Sequence, residues 1–191
     1  MKLEGVLPFA RTLLRSFCKE GDIVIDATCG NGNDTLFLSK QVGEEGKVYA
    51  FDIQTQAIEK SKQRLTDNLA DHNVTFFHAS HDEMMNLLPE TVTGQVSAAI
   101  FNLGYLPGSD KSITTKGSST IDAIKQLLHI LKPEGIIILV IYHGHEEGKR
   151  EKDQVLDYVK NLNQNEVHVL QYEFINQKND PPFVVAIEKR G

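Results

Sequence analysis

Residues 23–34 read Ile23-Val24-Ile25-Asp26-Ala27-Thr28-Cys29-Gly30-Asn31-Gly32-Asn33-Asp34, three β-branched residues, an acid, then small and turn-forming residues. That order predicts a buried strand, a tight loop and a helix N-terminus. Gly30 and Gly32 can take backbone angles closed to other residues, so the main chain can approach a ligand closely. The free N–H groups and positive dipole end of the following helix then face that ligand. A nucleotide or nucleoside is the ligand this device suits. Twenty residues after Gly32, the apolar run Val48-Tyr49-Ala50-Phe51 ends in Asp52. A carboxylate there can accept hydrogen bonds from both hydroxyls of a ribose.

Ligands of open α/β sheets bind at the carboxyl ends of the strands, so those ends are read together. The first offers Asp26, Thr28, Gly30, Asn31, Gly32, Asn33 and Asp34, and the second Asp52, Ile53 and Gln54. The third offers Ser80 and His81, where an adenine would lie. The fourth offers Asn102, Leu103, Gly104 and Tyr105, and the fifth Tyr142 and His143. Asn102 also reads as a turn residue, and Tyr105 as a packed aromatic. His143-Gly144-His145 has metal-ligand types but no further ligands, so no metal is expected. His143 is read as a proton acceptor or base-contacting group, and His145 as surface.

The elements that must position these residues alternate cleanly. An opening helix over 6–19 turns Val6, Ala10, Leu13 and Phe17 to the sheet, and its Arg11, Arg15 and Lys19 are read as a solvated face in slight preference to a phosphate contact. Strands are expected at 22–27, 46–52, 74–78, 96–102, 136–142, about 166–175 and 183–189. Helices are expected at 33–42, 55–69 (through Ile58, Leu65 and Leu69) and 149–162, with a short one through Met84, Leu87 and Leu88. Ser118, Ser119 or Thr120 is expected to cap a further helix with Ile121, Ile124, Leu128 and Leu131 on its face. Ile136–Ile141 has no polar alternation, which predicts a central parallel strand covered on both faces. The last two strands, with only residues 176–182 between them, predict an antiparallel pair. The expectation is one α/β domain over residues 1–191, its sheet doubly wound and its helices on both faces.

Composition sets looser bounds. The chain has 191 residues and a net charge of −6, which excludes a uniformly basic surface but not a local basic patch. No apolar run approaches the ~20 residues a membrane span needs, and Glu4, Pro8 and Arg11 interrupt any signal-peptide core. Two cysteines in no metal or disulfide spacing suit a reducing cytosol, so a cytoplasmic location is expected.

A dinucleotide fingerprint G-x-G-x-x-G would need a third glycine where Thr35 stands. The stretch is more similar to D-x-G-x-G-x-G, the first motif of class I S-adenosylmethionine (SAM) methyltransferases, with Thr28 in the first glycine slot. More narrowly, Asp26–Thr35 and Phe101-Asn102-Leu103-Gly104-Tyr105-Leu106-Pro107-Gly108 resemble the bacterial YtqB-like/MnmM group. That group was first labelled rRNA methylases and is associated with methylation of the amine of 5-aminomethyl-2-thiouridine at the tRNA wobble position. The resemblance implies the Rossmann-like class I methyltransferase fold, a seven-stranded, mostly parallel sheet in the order 3-2-1-4-5-7-6 with an antiparallel C-terminal hairpin. It also implies SAM as cofactor, with Asn102 and Gly104 beside the methyl group, and the tRNA anticodon region as partner, leaving a homodimer open.

Methylating an amine requires its neutral form, held by acceptors that aim the lone pair. The side-chain oxygen of Asn102 and the carbonyl of Leu103 have the right chemistry. Asn102-Leu103-Gly104-Tyr105 is similar to the N-P-P-Y motif of amino-methyltransferases, without its prolines. No cysteine is placed near this loop for covalent attack on a pyrimidine ring, and Cys29 reads as a small filler. Lys111, Lys116, Lys149, Arg150 and Lys152 are the cations expected near the mouth to meet phosphates. Other readings are an rRNA or small-molecule amine methyltransferase, or a non-catalytic SAM-binding RNA module.

Overall fold

The computed structural model describes residues 2–104 and 114–191. Among the described residues six α-helices and seven strands follow one another as α1 (Val6–Phe17), β1 (Ile23–Asp26), α2 (Asn33–Val42), β2 (Lys47–Asp52), α3 (Thr55–Asp67), β3 (Val74–His78), α4 (Met84–Leu87), β4 (Val96–Leu103), α5 (Gly117–Ile130), β5 (Leu131–Ile141), α6 (Glu146–Lys160), β6 (Val167–Tyr172) and β7 (Phe183–Lys189). The strands form one sheet in the order β3-β2-β1-β4-β5-β7-β6. All pairings up to β5 are parallel, while β7 runs antiparallel to both β5 and β6.

The apolar run of β5 has the expected cause. Ile137, Leu139 and Ile141 face one layer with Phe51, Phe101, Ile124, Leu127 and Val155. Ile136, Ile138 and Val140 face the other with Leu14, Val24, Leu38 and Val48. Helices α1, α2 and α3 cover this second face, and α4, α5 and α6 the first. With both faces dry, successive residues are all apolar.

Three details correct the sequence reading. Helix α3 stops at Asp67, and Leu69 lies beyond it with φ 52° and 88% exposed, so it is no part of the apolar face. Leu131 belongs to β5, where it pairs with Val96, because Pro133 restricts the preceding backbone to extended angles and the helix ends at Ile130. No side chain caps α5: its cap residue is Lys116, and the Thr120 hydroxyl instead donates to Glu151 at 2.8 Å.

Candidate active site

The carboxyl ends of β1 to β5 open into a cavity of about 1200 Å³. From β1 and its loop come Thr28, Gly30, Asn31, Asn33 and Asp34, and from β2 Asp52, Ile53 and Gln54. Ser80 and His81 follow β3, Asn102, Leu103 and Gly104 end β4, and Tyr142 and His143 follow β5. Of the expected site residues, Asp26 and Gly32 do not line it. Tyr105 and Lys111 lie outside the described residues.

The loop after β1 is held from beneath. Gly30 and Gly32 both have positive φ, 51° and 76°, and a Cβ on Gly32 would come within 2.8 Å of the Ser61 backbone. Gly32 is therefore needed for close packing against α3. The Ser61 hydroxyl donates to the Gly30 carbonyl and Arg64 Nε to the Asn31 carbonyl, at 3.0 and 2.6 Å. Asp26 is buried and accepts from the Thr35 hydroxyl (2.6 Å) and the Thr28 N–H (3.2 Å). Burial, reinforced by the nearby Asp34, pushes its carboxyl up to about 7. This acid braces the loop from inside the protein.

Asp52 faces the cavity. One oxygen accepts the Gly30 N–H and the other the Gln54 N–H, each at 2.9 Å. A carboxylate has about four acceptor positions, so the two oxygens keep capacity for a vicinal diol. Burial raises its pKa, against the backbone bonds that lower it. Near the third strand end, the buried His81 ring lies 3.3 Å from the Ala27 carbonyl through Nδ1. A carbonyl only accepts, so Nδ1 carries the proton and Nε2 is an acceptor; that Nε2 is buried and unpartnered among the described residues.

The other half of the cavity is built on Asp34, in the first turn of α2. Its Oδ1 accepts from Arg11 Nη2 and Nε (3.1 and 3.3 Å), and its Oδ2 from Asn102 Nδ2 (2.9 Å). The carboxylate thereby fixes which way the Asn102 amide points, and among the described residues the amide oxygen accepts no bond. The Asn102 N–H donates to the Thr28 hydroxyl at 2.7 Å. The Leu103 carbonyl already accepts the Tyr142 N–H (3.0 Å) within the sheet, which occupies one of its two acceptor positions. Leu103 also lines the cavity, and of the two expected acceptors Asn102 Oδ1 is the one that accepts no bond among the described residues.

Supports come from beyond the strand ends. The Gly104 N–H donates to the Thr115 hydroxyl, which donates to Glu151, at 2.9 and 2.5 Å. His143 is buried edge-on to Phe183, its Nδ1 unpartnered among the described residues, while His145 lies 3.5 Å from the Thr114 hydroxyl. Among the described residues no cluster of three or more metal-ligating groups occurs. Lys116 lines the cavity; Lys149 pairs with Asp180 across its rim, Arg150 with Glu147 and Lys152 with Asp153.

Sequence reasoning found α1 but missed its place at the cavity. Leu7 and Arg11 line the cavity, so Arg11 does not belong to a solvated face. Its i, i+4 partner Arg15 lies over the Phe37 ring at 5.2 Å. Thr114, Thr115 and Asp180 were missed too, since nothing local marks a residue that a distant element carries to the rim. Cys29 does line the cavity, but burial pushes its thiol well above the ordinary range, which removes the thiolate that covalent catalysis needs.

Comparison with known proteins agrees with this geometry. The family model described as "Putative rRNA methylase" matches residues 48–188. A chloroplastic tRNA (mnm(5)s(2)U34)-methyltransferase of Arabidopsis thaliana is 37% identical over 95% of this chain and 69% of its own. A putative rRNA-methylase from Clostridium thermocellum is 42% identical, covers 99% of this chain and 100% of its own, and superposes with a TM-score of 0.95. A putative methyltransferase from Streptococcus mutans, solved in complex with SAH, is 39% identical over 98% of this chain and 99% of its own, with a TM-score of 0.88. With the strand order, the Asp52 strand end and these matches in agreement, the chain belongs to the rRNA methylase family and is a class I SAM-dependent methyltransferase.

Proposed function

We propose that this protein N-methylates the aminomethyl group of 5-aminomethyl-2-thiouridine at the wobble position of tRNA. The observation that carries the reading is the 37% identity, over nearly the whole chain, to a relative named for that nucleoside. The geometry supports it independently. At about 1200 Å³ the cavity exceeds the ~300–1,000 Å³ typical of one small-molecule site, leaving room for an acceptor beside a cofactor.

The cofactor half fits SAM: Asp52 would take the ribose, His81 and Ser80 would flank the adenine, and the loop Thr28–Asn33 would hold the remainder. SAM supplies an electrophilic methyl group, so the protein's own task is to orient and dehydrate the nucleophile. Asn102 Oδ1 would accept an N–H of the neutral amine and aim its lone pair. His143 would stand at the far wall, able to take the proton released afterwards. Lys116 and the cations at the start of α6 would meet RNA phosphates at the rim. The free, buried cysteines and the lack, among the described residues, of a helix long and apolar enough to cross a membrane fit work in the cytosol.

The family description favours rRNA as a second reading. Nucleoside mass spectrometry separates the two. Purified protein with SAM is expected to convert tRNA carrying 5-aminomethyl-2-thiouridine to the methylaminomethyl form and to ignore tRNA with unmodified uridine there. A methyl group on rRNA or on the unmodified tRNA, with none on the aminomethyl form, would overturn the proposal.

A further inference from the structure

Arg11 reaches from α1 to the wall of the cavity, and its position there poses a charge problem. Helix α1 packs through the fully buried Ala10 and Leu14, so its attachment does not depend on an ion pair. Yet Arg11, its side chain still 37% exposed, turns its guanidinium inward onto a single oxygen of Asp34. The other oxygen holds Asn102, whose Oδ1 accepts no bond among the described residues and faces the substrate as an acceptor. Any amine bound at Oδ1 therefore lies one amide group from the Asp34 carboxylate, within the roughly 4–6 Å over which a charge moves a titration.

A carboxylate so placed is useful for geometry and harmful for chemistry. It orients Asn102, but its charge favours the ammonium form of a nearby amine. In the transfer, the nitrogen lone pair forms the new N–C bond while the C–S bond breaks and its electron pair stays on sulfur. The positive charge passes to nitrogen, and one N–H proton leaves afterwards. An ammonium has no lone pair to begin this step. Among the described residues no other cation pairs with Asp34. Asp26 from β1 is an acid, and Tyr142 after β5 is a phenol whose ionisation is opposed by burial and then by Asp34. Farther round the cavity stand Asp52, His81, Lys116, His143, His145 and Asp180, the last paired with Lys149.

Resting on the function proposed above, we infer that Arg11 is a positioning residue which neutralises Asp34, so that Asp34 can orient Asn102 without holding the substrate amine in its protonated form. Arg11→Gln keeps the length and polarity of the side chain and removes the charge. The experiment is single-turnover methyl transfer to tRNA carrying 5-aminomethyl-2-thiouridine, measured against pH with SAM saturating. For Arg11→Gln the rise in rate is expected to move up by about half to one pH unit, so the variant is about three- to tenfold slower on the rising limb and catches up at high pH. Arg11→Lys is expected to restore the wild-type midpoint, because it restores the charge without the planar fork. A purely structural role for Arg11 would lower the rate at every pH and leave the midpoint in place, and that result would overturn the inference. Failure of the wild-type protein to methylate this tRNA would overturn the proposed function and the inference with it.

Discussion

Asp52 meets three demands at once: it ends β2, ties the Gly30 N–H into the loop, and leaves acceptor positions facing the cavity. Charge-assisted hydrogen bonds of this kind contribute about 1.5–3 kcal/mol. Asp52→Asn, which keeps the shape and removes the charge, is expected to weaken SAM binding by roughly 10- to 100-fold in calorimetric titration while the chain stays folded. Near-wild-type affinity would remove Asp52 from the cofactor site. This residue could be read from sequence because the strand, the acid and the spacing from Gly32 are all local. Arg11 could not, since an arginine on an amphipathic helix looks the same whether its fork meets water or an aspartate 23 residues away.

Elements were readable wherever a single physical cause set their limits. Helix α2 spans Asn33–Val42 as its glycine-bounded pattern predicts, and β3 and β7 match the apolar runs that define them. The misses arise where a tertiary partner outcompetes the local rule. Thr120 has the chemistry of a helix cap, but its hydroxyl goes to Glu151, 31 residues onward on α6. That carboxylate is buried with a raised pKa, the burial outweighing the two threonine hydroxyls that stabilise its charge. Through Thr115 it joins α6 to the Gly104 N–H at the end of β4. Thr115→Val would strand both the Gly104 donor and one Glu151 oxygen. We expect it to cost about 1–3 kcal/mol in denaturant unfolding, with Thr115→Ser close to wild type. Equal midpoints for all three proteins would show that this chain of bonds does not support the β4 end.

At the scale of the whole molecule, an acid buried at the end of the sheet makes stability depend on pH, and Asp26 makes this measurable. The acid sits inside the sheet end, 1% exposed, its carboxyl raised to about 7 against an ordinary 3.8 by burial and then by Asp34. Between those two values the folded chain binds more protons than the unfolded one, so stability is highest below about pH 4 for this group and falls as pH rises through 7. Asp52 and Glu151 shift in the same direction, so a pH scan of the wild-type protein alone would not isolate Asp26. The comparison with Asp26→Asn does. Asparagine can still accept the Thr28 N–H, and the Thr35 hydroxyl can rotate to accept from the amide, so the loop keeps its brace without a titrating group. The melting temperature of Asp26→Asn minus that of wild type, measured without cofactor from pH 4 to 8, is therefore expected to rise steadily with pH and to level off above about 7. A difference that stays constant across this range would mean that Asp26 remains ionised in the folded protein, with the Thr28 and Thr35 bonds outweighing its burial.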